Sequence, residues 1–367
     1  MRYLAPWIQK DLEKKMVFLS GPRQCGKTTL ALSLLKSTNG LGKSFNWDRD
    51  RDRKALLKEQ WTDEDRLLIF DEIHKFKRWK NWVKGIYDTE KEKHSILVTG
   101  SARLDVYHHW RLHPFSLHES SANLTKAEVF ERLMRVGGFP EPFLDGSERT
   151  ARRWRSERQD HILREDLRDI EQVRDIQTMG LLLDLLKTRV GGPIVVSNLA
   201  EDLQVAPATV SKWIEMLERM YVIFTVRPYT RNIARAIQKP PKIYFFDTGD
   251  VEGDEGARFE NLVATHLLKK IHYLNDREGE RYELQYIRDK EKREVDFIIT
   301  RSHGIEALIE VKWSDSSPSR SLIHFAEKLA PSQTIQLVGT LEEGFTKNRL
   351  QIQSPFTSPW LNELERL

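Results

Sequence analysis

The octapeptide GPRQCGKT at residues 21–28 constrains this chain more than any other feature. It meets the spacing G-x-x-x-x-G-K-[ST] with Gly21, Gly26, Lys27 and Thr28. The apolar run MVFLS leads into it and TTLALSLL leads out, so the loop is expected between a buried strand and a helix. The glycines let backbone N–H groups turn toward phosphate, and the helix start adds its dipole and its unpaired donors. Gly21, Pro22, Arg23, Gln24, Cys25, Gly26, Lys27, Thr28 and Thr29 are therefore the expected contacts to a purine nucleoside triphosphate. Lys27 is placed to reach the β- and γ-phosphates, and the Thr28 hydroxyl to sit on Mg²⁺.

A second element supports the first. LLIFDE, Leu67 to Glu72, is an apolar strand ending in two carboxylates. Asp71 is expected to hold Mg²⁺, and Glu72 to activate the attacking water as general base. A third strand, HSILVTGSA, ends in Thr99, Gly100 and Ser101. Ser101 at its tip, with Thr99 next in rank, is expected to orient that water; a plain glycine turn is the alternative. Glu72, Lys27 and Ser101 form the expected catalytic set.

The chain has 367 residues, enough for two or three domains, and no apolar run long enough for a bilayer span. Its N-terminus lacks the apolar stretch of a signal peptide, so a cytoplasmic protein is expected, without a membrane partner. The lone cysteine, Cys25, excludes an intrachain disulfide and a cysteine-rich zinc site. It reads as a small residue in a tight turn, or as a redox switch on the loop. A net charge of +4 does not by itself establish nucleic-acid binding.

Pattern divides the chain into four stretches. Residues 1–122 alternate short buried runs with helical segments, the α/β signature of a phosphate-loop core. Residues 123–179 open with a helix over 125–136, capped by Thr125 and Glu128 and stopped by Gly137 and Gly138. FPEPF, Phe139 to Phe143, reads as a rigid hinge, and an arginine-rich helical region follows, with Arg149, Arg152, Arg153, Arg155, Arg158, Arg164 and Arg168. A solvated helix face explains that run as well as phosphate contact does.

Residues 180–250 read as three helices and a hairpin, the layout of a winged helix-turn-helix. Ser197 is expected to cap the middle helix, and Val210, Trp213, Ile214 and Leu217 give the last one a buried face. Such a module places its third helix in the major groove of DNA, with Thr209, Ser211, Lys212 and Glu215 facing outward here. Arg227, Arg231 and Arg235 of the hairpin region, in a basic run that also holds Lys239 and Lys242, are candidate phosphate contacts. A protein–protein spacer is the other reading. Residues 251–367 begin with an amphipathic helix, Ala257 to Ile271, and continue as a second α/β module with strands near 283–287, 295–300, 307–311 and 334–337.

In that module Asp296 lies in EVDFII, and Glu310 and Lys312 lie in LIEVKW. Asp, thirteen residues, then E-x-K resembles the core of restriction-endonuclease-like nucleases. Two such carboxylates on adjacent strands could hold Mg²⁺ or Mn²⁺, with the lysine orienting or deprotonating a bound water.

Together GPRQCGKTT, LIFDEIHK, VTGSARLDVY, LHPFSLHE, GGFPEPF and GARFENLVATHLLK resemble bacterial and archaeal AAA-type ATP-binding proteins with a C-terminal restriction-endonuclease-like domain. The resemblance implies an ATPase core, a winged-helix middle domain and a nuclease-like end, with Glu260 as an additional acidic residue of the latter. It also implies adenine rather than guanine, and no N-K-x-D segment is present. One departure is visible. Family members carry a Gly-Arg-Tyr segment before LHPFS, where this chain has the short YHHWRLHPF. Arg111, Arg103, Arg164 and Arg168 are the remaining candidates for a hydrolysis-promoting arginine. Such relatives often self-associate so that one subunit completes its neighbour's site; a monomer or weak dimer is credible here. Two functions follow as expectations: an ATPase coupled to DNA, with nuclease activity at Asp296, Glu310 and Lys312, or a slow nucleotide switch that binds a protein partner.

Overall fold

The computed structural model describes residues 2–101, 109–119, 124–166, 175–230, 239–302, 304–347 and 349–365. Residue contacts divide the chain into two compact units, one built on Met1–His113 and the other on the chain from Pro114 onward, apart from short returns to the first.

The first unit is a parallel five-stranded sheet. Its strands are β1 (Val17–Ser20), β2 (Gly42–Asn46), β3 (Leu67–Asp71), β4 (Ser95–Gly100) and β5 (His109–Arg111), in the order β2-β3-β4-β1-β5. The three strands expected from apolar runs are present, and β1, β3 and most of β4 are buried throughout. β2 and β5 carry no such run: GKSFN buries only Phe45, and HWR is three residues long. Their pairing partners, not their own patterns, make them strands.

One core of this unit joins Phe18, Leu68, Phe70, Ile96 and Val98 of the sheet to Trp79, Val83 and Ile86 of the helix Trp79–Glu90. Full burial of each such side chain contributes roughly 1.5–3 kcal/mol. Parallel strands end with the same polarity, so the C-terminal tips of β1, β3 and β4 lie at one edge, where ligands bind in open α/β sheets. Register puts Leu19 level with Thr99, and Asp71 level with the same Thr99.

The second unit is built around a mixed eight-stranded sheet. Its strands are β6 (Ile223–Pro228), β7 (Lys242–Phe245), β8 (Tyr282–Arg288), β9 (Glu294–Arg301), β10 (Gly304–Lys312), β11 (Gln333–Val338), β12 (Phe345–Lys347) and β13 (Leu350–Gln353). They run in the order β12-β13-β11-β10-β9-β8-β6-β7. The expected hairpin is the antiparallel pair β6–β7, and β6 also pairs in parallel with β8 through Arg227 and Pro228. The hairpin therefore extends the C-terminal sheet.

Three helices precede it, Ile176–Lys187, Val196–Asp202 and Pro207–Arg219. The last buries Val210, Trp213, Ile214, Met216 and Leu217, as its 3.6-residue period requires. Helix Glu255–Glu278 lies against β7, β8 and β10, and packs its buried stripe there.

Two local expectations need correction. FPEPF is the start of a helix, Pro140–Asp145, because a proline in the first turn loses no intrahelical bond. Ser197 is not a cap: its helix starts at Val196, which puts Ser197 inside the first turn. The Thr125–Glu128 capping box forms as expected.

His266 is buried in this unit. Its Nε2 accepts the Leu117 N–H at 3.0 Å, and Nδ1 lies 2.8 Å from the Leu262 carbonyl, which it meets as donor. Burial pushes its pKa down to about 3; Lys269 adds to that, against the Leu262 contact. The native state therefore refuses a proton that the unfolded chain accepts below about pH 6.5. The neutral ring's stability is complete above that pH and is lost as pH falls toward 3. In denaturant melts the stability of wild type relative to His266→Gln should fall by up to about 1.4 kcal/mol per pH unit below pH 6. Equal slopes in the two proteins would disprove the assignment.

Candidate functional site

At the strand tips the phosphate loop takes the conformation its glycines permit. Gly21 has φ +152° and Gly26 has φ +95°. A Cβ on Gly21 would lie 2.2 Å from the Leu112 carbonyl oxygen, so no side chain fits there. Gln24 is also left-handed, with φ +64°. Cys25 is fully buried and its thiol faces the Leu112 carbonyl at 3.7 Å, which fits a small residue closing a turn. Thr28 and Thr29 are exposed at the start of helix Lys27–Ser37.

Lys27 is buried, and its ammonium donates to the Gly21 carbonyl at 3.0 Å and the Pro22 carbonyl at 2.8 Å. It thus lies across its own loop. The Thr28 hydroxyl donates to Asp71 Oδ2 at 2.9 Å, so the two residues expected at Mg²⁺ are in contact. Asp71 also accepts from Asn46 Nδ2 at 2.9 Å and from the Thr99 hydroxyl. Thr99 therefore binds the Asp71 carboxylate in this structure. Asn46 lies on β2, which no sequence pattern marked, and so it went unseen.

Glu72 has φ +57°, a left-handed conformation that costs a non-glycine residue on the order of 1 kcal/mol. Its N–H donates to the Thr99 carbonyl at 3.0 Å, which holds the turn. Its side-chain Oε2 accepts from the Ser101 hydroxyl at 2.8 Å. Burial alone would raise the Glu72 pKa; Lys27, His74 and Ser101 outweigh burial and set it below the ordinary value. The carboxylate is thus ionised at neutral pH, the form a general base needs. Ser101 is seen to position that carboxylate.

Of the candidate arginines, Arg111 lies on β5 beside Ser20 of β1, half-exposed. Arg164, in the second unit, is exposed and lies 3.5 Å from Asp160 of its own helical segment. Arg103 and Arg168 lie outside the described residues. In the arginine-rich helix Glu148–His161, Arg152 and Arg153 pair with Glu148 and Glu157 on the helix itself. Arg158 faces inward over the Phe139 ring at 4.1 Å, so part of this run is structural.

In the second unit Thr209 and Ser211 are half-buried, and Lys212 and Glu215 are exposed on helix Pro207–Arg219. Arg227 and Lys239 are exposed, while Arg231 and Arg235 lie outside the described residues. Lys242, the last cation of that basic run, is 1% exposed. Its position on β7 turns the side chain into the protein.

Asp296 and Glu310 lie on adjacent antiparallel strands, β9 and β10, as expected. Asp296 Oδ2 accepts the Val311 N–H at 2.9 Å, and Glu310 meets Lys312 at 2.7 Å and the Ser319 hydroxyl at 3.3 Å. Glu260, on helix Glu255–Glu278, accepts from the Tyr244 hydroxyl at 2.6 Å. Burial, then the neighbouring Asp296 charge, push both Glu260 and Glu310 up to about 7, against Lys242 and Lys312 respectively. All four expected residues thus form one cluster, and the Lys242 ammonium lies inside it.

A parallel sheet, a phosphate loop at the tip of β1 and a paired threonine and aspartate define a phosphate-loop nucleotide-binding domain. By comparison, residues 13–120 match the family model described as an AAA domain. Residues 127–251 and 255–354 match two domains of unknown function, DUF8612 and DUF4143. Uncharacterized proteins of Mycobacterium tuberculosis and Mycobacterium bovis are each 25% identical over 240 residues, 64% of this chain and 54% of theirs. The chain thus spans about half the length of these relatives. An uncharacterized protein of Methanocaldococcus jannaschii is 23% identical over 400 residues, covering 90% of this chain and 81% of that protein. Among solved structures, the RuvB Holliday junction branch migration motor of Thermotoga maritima aligns at 18% identity with a TM-score of 0.29, over 64% of this chain and 94% of that one. A point variant of it aligns at 15% identity with a TM-score of 0.32 and the same coverage. Among the described residues, no helix is long and apolar enough to cross a membrane.

Proposed function

We propose that this chain is a magnesium-dependent ATPase whose second unit binds DNA. The observation that carries the reading is the convergence of Lys27, Thr28, Asp71, Glu72 and Ser101 at one sheet edge. The donor set there fits the metal: Thr28 and Asp71 would hold Mg²⁺, which neutralises charge on the β- and γ-phosphate oxygens. Lys27 exchanges its two loop carbonyls for phosphate oxygens. Glu72 takes a proton from water as the water oxygen bonds to the γ-phosphorus. The bond from that phosphorus to the bridging oxygen breaks, and ADP leaves with the oxygen. Ser101 keeps Glu72 aimed throughout.

An arginine supplied from a lid or a neighbour raises such hydrolysis on the order of 10³-fold or more. The short connection before LHPF leaves Arg111 as the described candidate in the nucleotide unit, and turnover by the isolated chain is accordingly slow. Self-association that brings in a partner's arginine would raise it.

Support for DNA comes from exposed cations on the second unit. A cleft of about 580 Å³ is lined by Lys239, Arg288, Lys290 and Lys328, against Asp289 and Glu291. Asp289 and Glu291 are paired with Arg293, at 2.6 and 3.1 Å, and Arg288 with Glu294 at 3.3 Å, so the positive charge of the cleft comes from Lys239, Lys290 and Lys328. Gel shifts with duplex and single-stranded DNA should show binding that weakens steeply with salt, and Arg227→Ala with Lys239→Ala should flatten that dependence. No shift at 50 mM salt, with any DNA, would eliminate the DNA reading.

A second reading, a slow nucleotide switch whose C-terminal domain binds without cleaving, is favoured by one observation: the buried Lys242 among the carboxylates. Nuclease action would instead require Asp296 and Glu310 to hold Mg²⁺ or Mn²⁺ with Lys312 beside them. Asp296 has both oxygens engaged, by Lys242 and by the Val311 N–H, and so presents neither to that ion.

A further inference from the structure

Lysine has three N–H donors and no acceptor. The three donors of Lys242 have three carboxylates within reach: Glu294 Oε1 at 2.7 Å, Asp296 Oδ1 at 3.4 Å and Glu260 Oε1 at 3.5 Å. Its Nζ also lies 5.5 Å from the centre of the Tyr286 ring, whose π face favours a cation. Burial alone would lower the pKa of this ammonium; Asp296, Glu260 and Glu294 together outweigh burial and raise it. The group therefore stays charged at any working pH.

The backbone leaves the side chain no alternative place. Lys242 is paired with Val226 across the hairpin and bridges to Pro193 on its other side. With only 1% of the residue exposed, the ammonium is shielded from water in this register. Lys312 differs: its side chain is 40% exposed and meets Glu310 from the open side of the cluster. Lys312 is the lysine the sequence pattern marks, and Lys242 is one it does not.

Charge in the cluster is nearly balanced. Glu260, Glu294, Asp296 and Glu310 face Lys242, Lys312 and Arg288, the last 3.3 Å from Glu294. One negative charge is in excess. A divalent cation adds two charges to this near-neutral set, and it needs carboxylate oxygens at about 2.0–2.1 Å for Mg²⁺. Asp296 has committed one oxygen to Lys242 and the other to the Val311 N–H. Among the described residues, no group of three or more carboxylate, histidine or cysteine side chains is arranged to hold a metal ion.

We propose that Lys242 is the resident cation of this cluster, in the place a nuclease gives to its metal, so that residues 251–367 form a metal-independent binding domain. The same contacts fasten hairpin β6–β7 to helix Glu255–Glu278 and strand β9. Arg227, exposed on β6, is thereby held on the sheet. Since the cluster takes no part in ATP chemistry, the ATPase reading and this one stand or fall separately.

The test is a Mn²⁺ titration of the nucleotide-free full chain, followed by the loss of the free-ion paramagnetic resonance signal. Wild type and Asp296→Asn should give the same curve, because any weak binding at Thr28 and Asp71 is common to both. One Mn²⁺ per chain bound by wild type and lost in Asp296→Asn would overturn the proposal. Lys242→Met supplies the second arm. Three carboxylates are then left without their cation, and the melting temperature should fall by roughly 10 °C. The variant should gain one Mn²⁺ per chain and recover part of the loss on binding it. A Lys242→Met protein that melts like wild type, with and without Mn²⁺, would also overturn the proposal. If that variant does not fold, the comparison of wild type with Asp296→Asn decides alone.

Discussion

Lys27→Ala is expected to lose ATP binding by about 10²-fold or more, and turnover with it. A hydrogen bond to a charged group is worth about 1.5–3 kcal/mol, roughly one to two decades in affinity, and Lys27 has reach for two phosphate oxygens. Its ammonium now bridges the Gly21 and Pro22 carbonyls, at 3.0 and 2.8 Å. Those carbonyls are part of the loop itself, so alanine removes both the phosphate donor and the tie that closes the turn. Thr28 and Asp71 remain in place, and residual weak binding of Mg²⁺–nucleotide through them is the expected remainder. Calorimetric titration with ATP, alongside a phosphate-release assay, measures both quantities. ATP affinity within twofold of wild type would remove the phosphate-loop assignment of Lys27.

Glu72→Gln should separate binding from chemistry. Turnover is expected to fall on the order of 10²–10⁴-fold while ATP affinity stays near wild type. Glutamine keeps the size of the side chain and can still accept from the Ser101 hydroxyl, 2.8 Å from Oε2 in the native protein. What it lacks is the basic oxygen. Wild-type Glu72 is held ionised because Lys27, His74 and Ser101 overcome the burial that would raise its pKa. Single-turnover measurements with labelled ATP would show the variant retaining unhydrolysed nucleotide. Unchanged turnover would rule out Glu72 as the base and point to another group at the strand tips.

The two substitutions also differ in what they do to the fold. Glu72 has left-handed backbone geometry, held by its N–H bond to the Thr99 carbonyl. Glutamine inherits that strain unchanged, so a defect in Glu72→Gln reports on the carboxylate. Lys27→Ala loosens a buried contact, so its melting temperature needs to be followed beside its affinity.

How much of this was legible in the sequence depends on the range of each interaction. MVFLS, LLIFDE and HSILVTGSA announce three adjacent strands, because parallel buried strands are continuous apolar runs and the polar residues that end them mark the ligand edge. That Thr28, Asp71 and Glu72 meet at that edge could be expected from position alone. Asn46 could not, since β2 has one buried residue and becomes a strand only beside β3. Asp296, Glu310 and Lys312 are local in sequence and on neighbouring strands, so their meeting was legible as well.

Lys242 illustrates the limit. In the sequence it only closes a basic stretch that starts at Arg227, yet its side chain lies among Glu260, Glu294 and Asp296. A lysine's role is set by what surrounds its terminal nitrogen, four carbons from the backbone, and here that is a helix and a strand 18 to 54 residues later in the chain. The sequence by itself determined a phosphate loop with its threonine, aspartate and glutamate, since those depend on spacing within strand–turn–helix units. Only the tertiary structure decided that Ser101 grips Glu72, that β6–β7 belongs to the C-terminal sheet, and that a buried ammonium neutralises the carboxylates there. Each of those is a long-range electrostatic or hydrogen-bonded contact, fixed by packing and invisible to local pattern.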